Sequence, residues 1–266
     1  MAVSRREALT GASGLAIGAL GMFTERDVKD RLDESVPLPV YGSAVSAIRP
    51  DRSAPGVTES RVVWSGPPQV AGSTAPRRLA LTFDDGPHPD WTPTVLRTLR
   101  DLEAPATFFC VGRNVRDHAD IHADSPGRHE LANHTFDHHD LGRFALARCQ
   151  DEIERTSDLI ESSWGVRPRL FRPPYGHLGG AAVLAAAEAG LTTVLWSAQM
   201  HEDLFATRPA GITDDLAAQV APGTIVLAHD TGSPDRRITV DHLGQIVTRL
   251  RDGGWELVTV SDLLDG

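Results

Sequence analysis

Apolar residues in this chain fall into short runs that alternate with longer segments of helical period. A short apolar run bounded by turn residues is typical of a buried strand, and apolar residues three and four apart are typical of an amphipathic helix. The predicted strands cover residues 79–83, 106–111, 129–132, 170–171, 193–196, 224–227 and 255–260, and the predicted helices cover 92–102, 144–164, 180–189, 212–220 and 240–251.

Repeated alternation of strand and helix predicts an α/β fold with a parallel sheet, either open or closed into a barrel. In such folds the residues that carry chemistry follow the carboxyl ends of the strands. We therefore expect functional side chains in the loops directly after the predicted strands.

The amino-terminal 77 residues have a different pattern. Arg5 and Arg6 precede an uncharged run over residues 10–24, which is too short to span a bilayer comfortably. Basic residues before a short apolar stretch indicate an export signal, and adjacent arginines indicate the twin-arginine type. A chance arginine pair in an unstructured start is the alternative.

These features divide the chain into three parts. We expect residues 1–30 to be an export signal, or a membrane anchor if it stays uncleaved, for a secreted or cell-envelope protein. Residues 31–77 are rich in Pro, Gly, Ser and Ala and predict a linker or lead-in. Residues 78–266 would form the functional domain.

Composition narrows the function classes. The 266 residues carry a formal net charge of −10, which argues against nucleic-acid binding because such proteins usually present a basic patch. Two cysteines, Cys110 and Cys149, are too few for a disulfide-dense scaffold or a four-thiolate zinc site. They leave open one disulfide formed after export or two buried free thiols.

The first candidate site residues are two adjacent carboxylates at a predicted strand end. Asp84 and Asp85 follow the run 79–83 and precede Gly-Pro. Neighbouring side chains in a strand point in opposite directions, so one carboxylate can bind a cation while the other acts as a base. A solvated turn is the alternative.

The second candidate is a histidine pair. His134 and His138 are four residues apart, so one helical turn would place both on one face. Two imidazoles with one carboxylate form a common open zinc site. Thr135 after the first histidine excludes the HExxH zinc-protease motif. Iron oxygenases use the same ligand types, but their usual all-β scaffold does not match the alternating pattern. A histidine-rich surface loop is the remaining alternative.

Two further strand ends carry reactive side chains. Arg172 follows the run 170–171, and the next two residues are prolines that stiffen the backbone. An arginine here can orient a carboxylate, and a stiff loop can aim an amide N–H at a developing oxyanion. His229 closes an apolar strand and suits a general acid. A rigid turn and a structural histidine are the corresponding alternatives.

Together these motifs resemble the polysaccharide deacetylases of carbohydrate esterase family four, the nodulation-protein type. The matching segments are residues 82–87, 134–138, 172–176 and 227–229, in the family's order, and the resemblance covers about residues 78–263. It implies a distorted (β/α) barrel of about seven or eight units, in agreement with the predicted alternation.

The resemblance also implies a role for each matching residue. Asp84 would be the catalytic base held by Arg172, and His229 would be the proton donor. Asp85, His134 and His138 would bind a divalent metal, with zinc expected and cobalt or nickel as alternatives. The Tyr175 backbone N–H would contribute to the oxyanion hole. The substrate-binding residues would be Pro174, Trp196 and Leu227.

One segment departs from the family pattern. The family usually carries Asp-x-x-Asp-Trp after the Trp-Ser of the fifth strand, but here Gln199 stands at the first Asp and no Trp follows. That Asp would normally orient the histidine donor and raise its pKa. Spacing leaves Glu202 and Asp203 as two possible replacements.

The implied function is an exported, metal-dependent hydrolase that removes acetyl groups from N-acetylated sugars of peptidoglycan, chitin-like or other envelope glycans. Its partner would be an acetylated polysaccharide or oligosaccharide, with no nucleic acid, and with a membrane only through an uncleaved signal anchor. An O-acetyl esterase for xylan-type glycans and a non-catalytic glycan-binding relative are the alternatives.

Overall fold

The computed structural model describes residues 59–68 and 74–266, and in this part of the chain parallel strands curl into an incomplete barrel. The strands are β1 (Val62–Val63), β2 (Arg77–Asp84), β3 (Thr107–Cys110), β4 (Glu130–Asn133), β5 (Leu170–Phe171), β6 (Thr192–Val194), β7 (Ala198–Gln199), β8 (Ile225–His229) and β9 (Trp255–Leu257). The sheet order is β1-β6-β5-β4-β3-β2-β8-β7, and β9 pairs with the other end of β2.

Helices connect most of these parallel strands, as crossover connections require. They are α1 (Thr92–Asp101), α2 (Gly112–His118), α3 (Leu146–Trp164), α4 (Gly180–Glu188), α5 (Gly211–Gln219), α6 (Arg237–Asp252) and α7 (Val260–Asp265). The predicted distorted (β/α) barrel is therefore confirmed.

Strand β2 shows how the sequence divides the core. Leu79, Leu81 and Phe83 belong to the large apolar cluster shared with helices α1 and α6, whereas Ala80 belongs to a second cluster with Phe109. This alternation follows from the two-residue period of a strand. Asp84 lies on the same face as Ala80 and ends the strand, so the fold carries a carboxylate to the carboxyl edge of the sheet.

Some elements differ from the prediction. Val62–Val63 lies in the stretch expected to be a linker, yet it pairs in parallel with β6. The last strand ends at Leu257, because the Thr259 side chain caps the amino terminus of α7 by accepting from the Asp262 N–H. Helix α2 has only seven residues, too few to show a helical period in the sequence.

Two other expectations concern the cysteines and the amino terminus. Cys110 and Cys149 are both buried and free, which corresponds to the free-thiol alternative. The expected export signal at residues 1–30 lies outside the described residues, as does most of the expected linker. No helix among residues 59–68 and 74–266 has the length and apolar character needed to cross a membrane.

A buried histidine lies in the core behind β3. The His122 ring packs edge-on against Phe108 and Trp164, and its Nδ1 is 2.8 Å from the Ser125 hydroxyl. Burial, together with the nearby His129, lowers the pKa of His122 from 6.5 to about 3. The folded state therefore requires the neutral ring at any pH near neutrality.

We expect His122→Leu to alter how stability depends on pH. The unfolded chain accepts a proton at this histidine near pH 6.5, whereas the folded chain does so only near pH 3. The contribution of His122 to the free energy of unfolding is therefore complete above pH 6.5 and decreases as the pH falls from 6.5 toward 3. Between pH 7.5 and 5, the free energy of unfolding of wild type should fall by about 2 kcal/mol relative to that of His122→Leu. Urea unfolding at several pH values measures this difference.

His242→Leu on helix α6 provides the control. Equal pH dependence of stability in wild type and His122→Leu would contradict the assignment.

Candidate active site

Four parallel strand ends bring the predicted site residues to one edge of the sheet. Asp84 ends β2 and His229 ends β8, and the two residues are register partners. His134 directly follows β4, and Arg172 directly follows β5. Because β4 pairs with both β3 and β5, and β2 lies between β3 and β8, the topology places the four ends in one arc.

A buried ion pair holds Asp84. Arg172 is fully buried, and its Nη1 donates to Asp84 Oδ1 over 2.7 Å. Nη1 also donates to the Thr82 hydroxyl, and Nε and Nη2 donate to the carbonyls of Val194 and Leu195. The orientation of a carboxylate by Arg172, expected from the sequence, is thus present in the geometry. The second oxygen, Asp84 Oδ2, remains directed toward His134, 3.7 Å from Nε2.

Asp85, His134 and His138 converge on one point. Asp85 Oδ1 is 3.0 Å from His138 Nε2 and 3.4 Å from His134 Nε2. His134 Nδ1 lies 2.7 Å from the Arg172 carbonyl, which can only accept, so Nδ1 carries the proton and in the neutral ring Nε2 carries a lone pair. A backbone carbonyl that fixes a histidine in this way is a common outer partner of metal ligands.

The donor set of this triad fits a divalent cation. Asp85 Oδ1 is buried and has no hydrogen-bond donor among the described residues, which leaves an oxygen lone pair aimed between the two imidazoles. One carboxylate oxygen and two imidazole nitrogens form a typical open zinc ligand set.

Without a cation, the charges within the triad compensate one another. Burial raises the pKa of Asp85, but the imidazoles of His134 and His138, close to its Oδ1, outweigh this effect and hold that pKa well below its ordinary value. Burial lowers the pKa of His134, but the carboxylates of Asp84 and Asp85 outweigh it and raise that pKa. A bound cation would replace this stabilising positive charge.

The histidine pair meets through a loop, and the expected helical turn is wrong. Thr135 and His138 both have left-handed backbone angles, with φ of 65° and 58°. The Thr135 hydroxyl accepts from the His138 N–H, and the ring centroids of His134 and His138 are 5.0 Å apart. The local sequence favours a loop here because Thr135 and Asp137 bond more readily to the backbone outside a helix.

A glutamate from helix α3 anchors this loop. The buried Glu152 carboxylate accepts from the consecutive backbone N–H groups of Phe136 and Asp137. His139 and Arg148 lie against its other oxygen, at 3.3 and 3.4 Å. Asp137, His139 and Glu152 also lie close enough to hold a cation, but Glu152 is already occupied by N–H donors.

The loop after β5 has a left-handed residue directly after its two prolines. Tyr175 has φ of 61°, and its ring packs edge-on against His138 at 4.9 Å. Gly176 also has a positive φ, and a Cβ there would meet the Trp196 ring at 2.7 Å. Trp196 therefore packs directly on this loop. Pro174, which belongs to the loop, is buried.

His229 lacks the partner that the family pattern would supply. Its Nδ1 is buried and has no hydrogen-bond partner among the described residues. Gln199 accepts from the Trp196 indole N–H instead, and the buried Glu202 accepts from the Thr239 hydroxyl. Burial and the positive charge of Arg236 lower the pKa of His229 to about 4. Leu227, two residues earlier on β8, is almost fully buried.

The structure adds site residues that the sequence reasoning missed. The Asn114 side chain donates to the Asp85 carbonyl over 2.7 Å, and Arg236 Nη1 lies 3.0 Å from Asp85 Oδ2. Neither residue stands at a strand end, so the strand-end rule gave no signal for it. Glu152 carried a signal, because it is a charged residue on the helix face of Cys149, Ile153 and Thr156.

A pocket of about 350 Å³ opens beside the triad. Asp85 and His138 line its inner wall, and His88, Arg113 and His118 contribute polar side chains around it. A polar pocket next to a candidate metal centre is a suitable place for a hydrophilic ligand.

Comparison with known proteins shows that this chain is similar to proteins named as deacetylases. The polysaccharide deacetylase family model matches residues 71–194. A peptidoglycan-N-acetylglucosamine deacetylase of Bacillus cereus is 38% identical over 190 residues, which cover 70% of this chain and 87% of the relative. A chitooligosaccharide deacetylase of Bradyrhizobium is 35% identical over 195 residues, covering 68% of this chain and 88% of the relative.

A solved structure agrees with these sequence matches. The structure of the Bc1960 peptidoglycan N-acetylglucosamine deacetylase superposes with a TM-score of 0.70 at 27% identity, covering 77% of this chain and 94% of the other. Similarity in sequence over nearly the whole length of two relatives, joined by similarity of fold, shows that the chain belongs to the polysaccharide deacetylase family.

Proposed function

We propose that this chain is an exported, metal-dependent hydrolase that removes acetyl groups from N-acetylated sugars of a cell-envelope or extracellular polysaccharide, peptidoglycan or chitin-like. The observation that carries the proposal is the position of Asp84 Oδ2 beside the triad of Asp85, His134 and His138. A carboxylate next to, but distinct from, a metal ligand set provides a general base beside a Lewis acid, an arrangement that suits hydrolysis of an amide by water.

Asp85, His134 and His138 would hold the metal ion, with zinc as the expected ion and cobalt or nickel as alternatives. When bound, a divalent cation polarises the acetamide carbonyl and makes water a stronger nucleophile. The remaining chemistry falls to side chains of the chain itself.

Asp84 is the proposed general base. Arg172 binds Oδ1, so Oδ2 is the oxygen that remains to accept a proton from the attacking water. The ion pair fixes the direction of the carboxylate, which keeps Oδ2 aimed at the triad.

The loop after β5 completes the proposed site. The Tyr175 backbone N–H would donate to the developing oxyanion, and the left-handed backbone at Tyr175 sets its direction. Pro174, Trp196 and Leu227 would form the apolar wall around the acetyl methyl group. Pro174 and Leu227 are buried, and Trp196 is half-buried with its ring against Gly176.

His229 is the proposed proton donor to the departing amine. An amide nitrogen leaves poorly without a proton, so a donor at this edge is needed. His229 ends β8 next to Asp84 in register and fits that place.

Export through a twin-arginine-type signal over residues 1–30 belongs to the same proposal. Such a signal fits a substrate in the cell envelope, and the similar proteins named above include a peptidoglycan deacetylase. Residues 78–266 would be the catalytic domain.

Asp84→Asn is expected to retain the metal and to lose turnover. The amide keeps an acceptor for Arg172 but cannot take a proton from water, so kcat should fall by about 10²- to 10⁴-fold. Acetate release gives kcat, and metal analysis of the same sample gives occupancy. Asp241→Asn on the exposed face of helix α6 is the matched control, and an unaffected rate in Asp84→Asn would reject this residue as the base.

His134→Ala is expected to abolish both metal content and deacetylation. Removal of one of three protein ligands leaves a carboxylate and a single imidazole, which bind zinc weakly. Elemental analysis after dialysis against trace zinc measures the content, with His242→Ala as a remote histidine control. Full activity in His134→Ala would remove this triad from the mechanism.

One experiment separates the proposed function from its alternatives. Acetate release is measured on peptidoglycan, chitin oligosaccharides and acetylated xylan, with and without chelator and with added zinc, cobalt or nickel. Release from N-acetylated glycans that stops with chelator supports the proposal. Release from xylan alone indicates the esterase, and binding without any release indicates a non-catalytic relative.

A further inference from the structure

Arg236 contacts Asp85 Oδ2, the carboxylate oxygen that does not face the two histidines of the triad. Its Nη1 lies 3.0 Å from Asp85 Oδ2, whereas Oδ1 faces His134 and His138. The two oxygens of one carboxylate therefore have separate partners. The arginine takes one, and the other points at the candidate metal centre.

The fold makes a specific place for this arginine. Arg236 ends a short 3-10 turn, Pro234–Arg236, in the loop that follows His229. Gly232 in the same loop has φ of 123°, and a Cβ there would lie 2.8 Å from Arg236 Cδ and 2.9 Å from Nη1. A Cβ at position 232 would thus force the Arg236 side chain to shift, and the positive φ also favours glycine there.

The neighbouring arginine provides a contrast. Arg237 Nε donates to Asp241 one turn along α6, and its guanidinium lies over the Trp91 ring. Of these two adjacent arginines, Arg236 enters the site and Arg237 stays on the helix surface. Their difference in contacts makes Arg237 a matched control for the charge of Arg236.

We propose that Arg236 is a positioning residue that fixes the Asp85 carboxylate so that a single oxygen, Oδ1, is presented to the metal ion. This inference rests on the metal site of the proposed function. A carboxylate without such a partner can turn about its Cβ–Cγ bond and lose the aim of Oδ1. Outer partners of metal ligands typically change metal affinity by 10- to 100-fold when they are mutated.

A competing physical effect has the opposite sign. The positive charge of Arg236 lies near the cation and would repel it, so loss of that charge alone would tighten binding. Pairing with Asp85 Oδ2 offsets part of this repulsion. We therefore expect the orientation of the ligand to dominate, and the sign of the change in affinity decides between the two effects.

The test is zinc affinity of the full chain. Metal-free wild type, Arg236→Gln, Arg236→Lys and Arg237→Gln are titrated with zinc in competition with a chromophoric chelator. Arg236→Gln should raise Kd by about 10- to 100-fold, and Arg236→Lys should recover part of the affinity because it keeps a donor of the same charge. Arg237→Gln should match wild type.

A second variant changes the same contact without touching the arginine. Gly232→Ala should displace the Arg236 side chain and also weaken zinc binding, and Gly232→Ala combined with Arg236→Gln should be no weaker than Arg236→Gln alone. Thermal unfolding of the metal-free proteins checks that the fold is intact. A merely structural role for Arg236 would lower the metal-free Tm and leave the Kd of the folded protein unchanged.

Each outcome has a defined meaning. Equal or tighter zinc binding by folded Arg236→Gln overturns the inference while leaving the proposed function in place. Failure of wild type to bind zinc, cobalt or nickel overturns the metal site itself, and the inference falls with it.

Discussion

The buried ion pair between Arg172 and Asp84 is the contact on which the rest of this site depends. Removing a guanidinium from water costs several kcal/mol, and here four hydrogen bonds, to two carbonyls, a hydroxyl and a carboxylate, offset that cost. Thr82 and Asp84 lie on β2, and Val194 and Leu195 lie at the end of β6 and directly after it. Arg172 itself directly follows β5. The Thr82 hydroxyl in turn donates to the Val226 carbonyl on β8. One cation therefore ties together strands from across the sheet and sets the direction of Asp84.

The same residue connects the proposed base to the candidate metal ligands. The Arg172 carbonyl accepts from His134 Nδ1, while its guanidinium holds Asp84. A shift of the β5 end would consequently move both groups together. Glu152 supplies the other support, because it binds the backbone of the loop between the two histidines. The site thus depends on one buried cation inside the barrel and one buried anion outside it.

The sequence predicted the parts of this arrangement that follow from strand ends. Asp84, His134, Arg172 and His229 each stand at or directly after an apolar run, and parallel pairing alone brings such positions together. The path between His134 and His138 could not be predicted, because a spacing of four residues suits either a helical turn or a loop with left-handed residues. The role of Arg236 could not be predicted either, since its contact with Asp85 spans 151 positions of sequence.

Because Gln199 stands where the family pattern has an Asp, the charge of Arg236 near His229 is not offset at that position. Burial and the charge of Arg236 both disfavour the protonated form of His229, and no described residue donates to or accepts from its Nδ1. An Asp at position 199 would normally offset these effects, but Gln199 is neutral and is engaged by Trp196. The loop after β8 therefore supplies both the proposed proton donor and a cation that opposes its protonation. Arg236 therefore affects two groups through one side chain. Its pairing with Asp85 orients the proposed metal ligand, and its charge lowers the fraction of His229 that is protonated and able to donate.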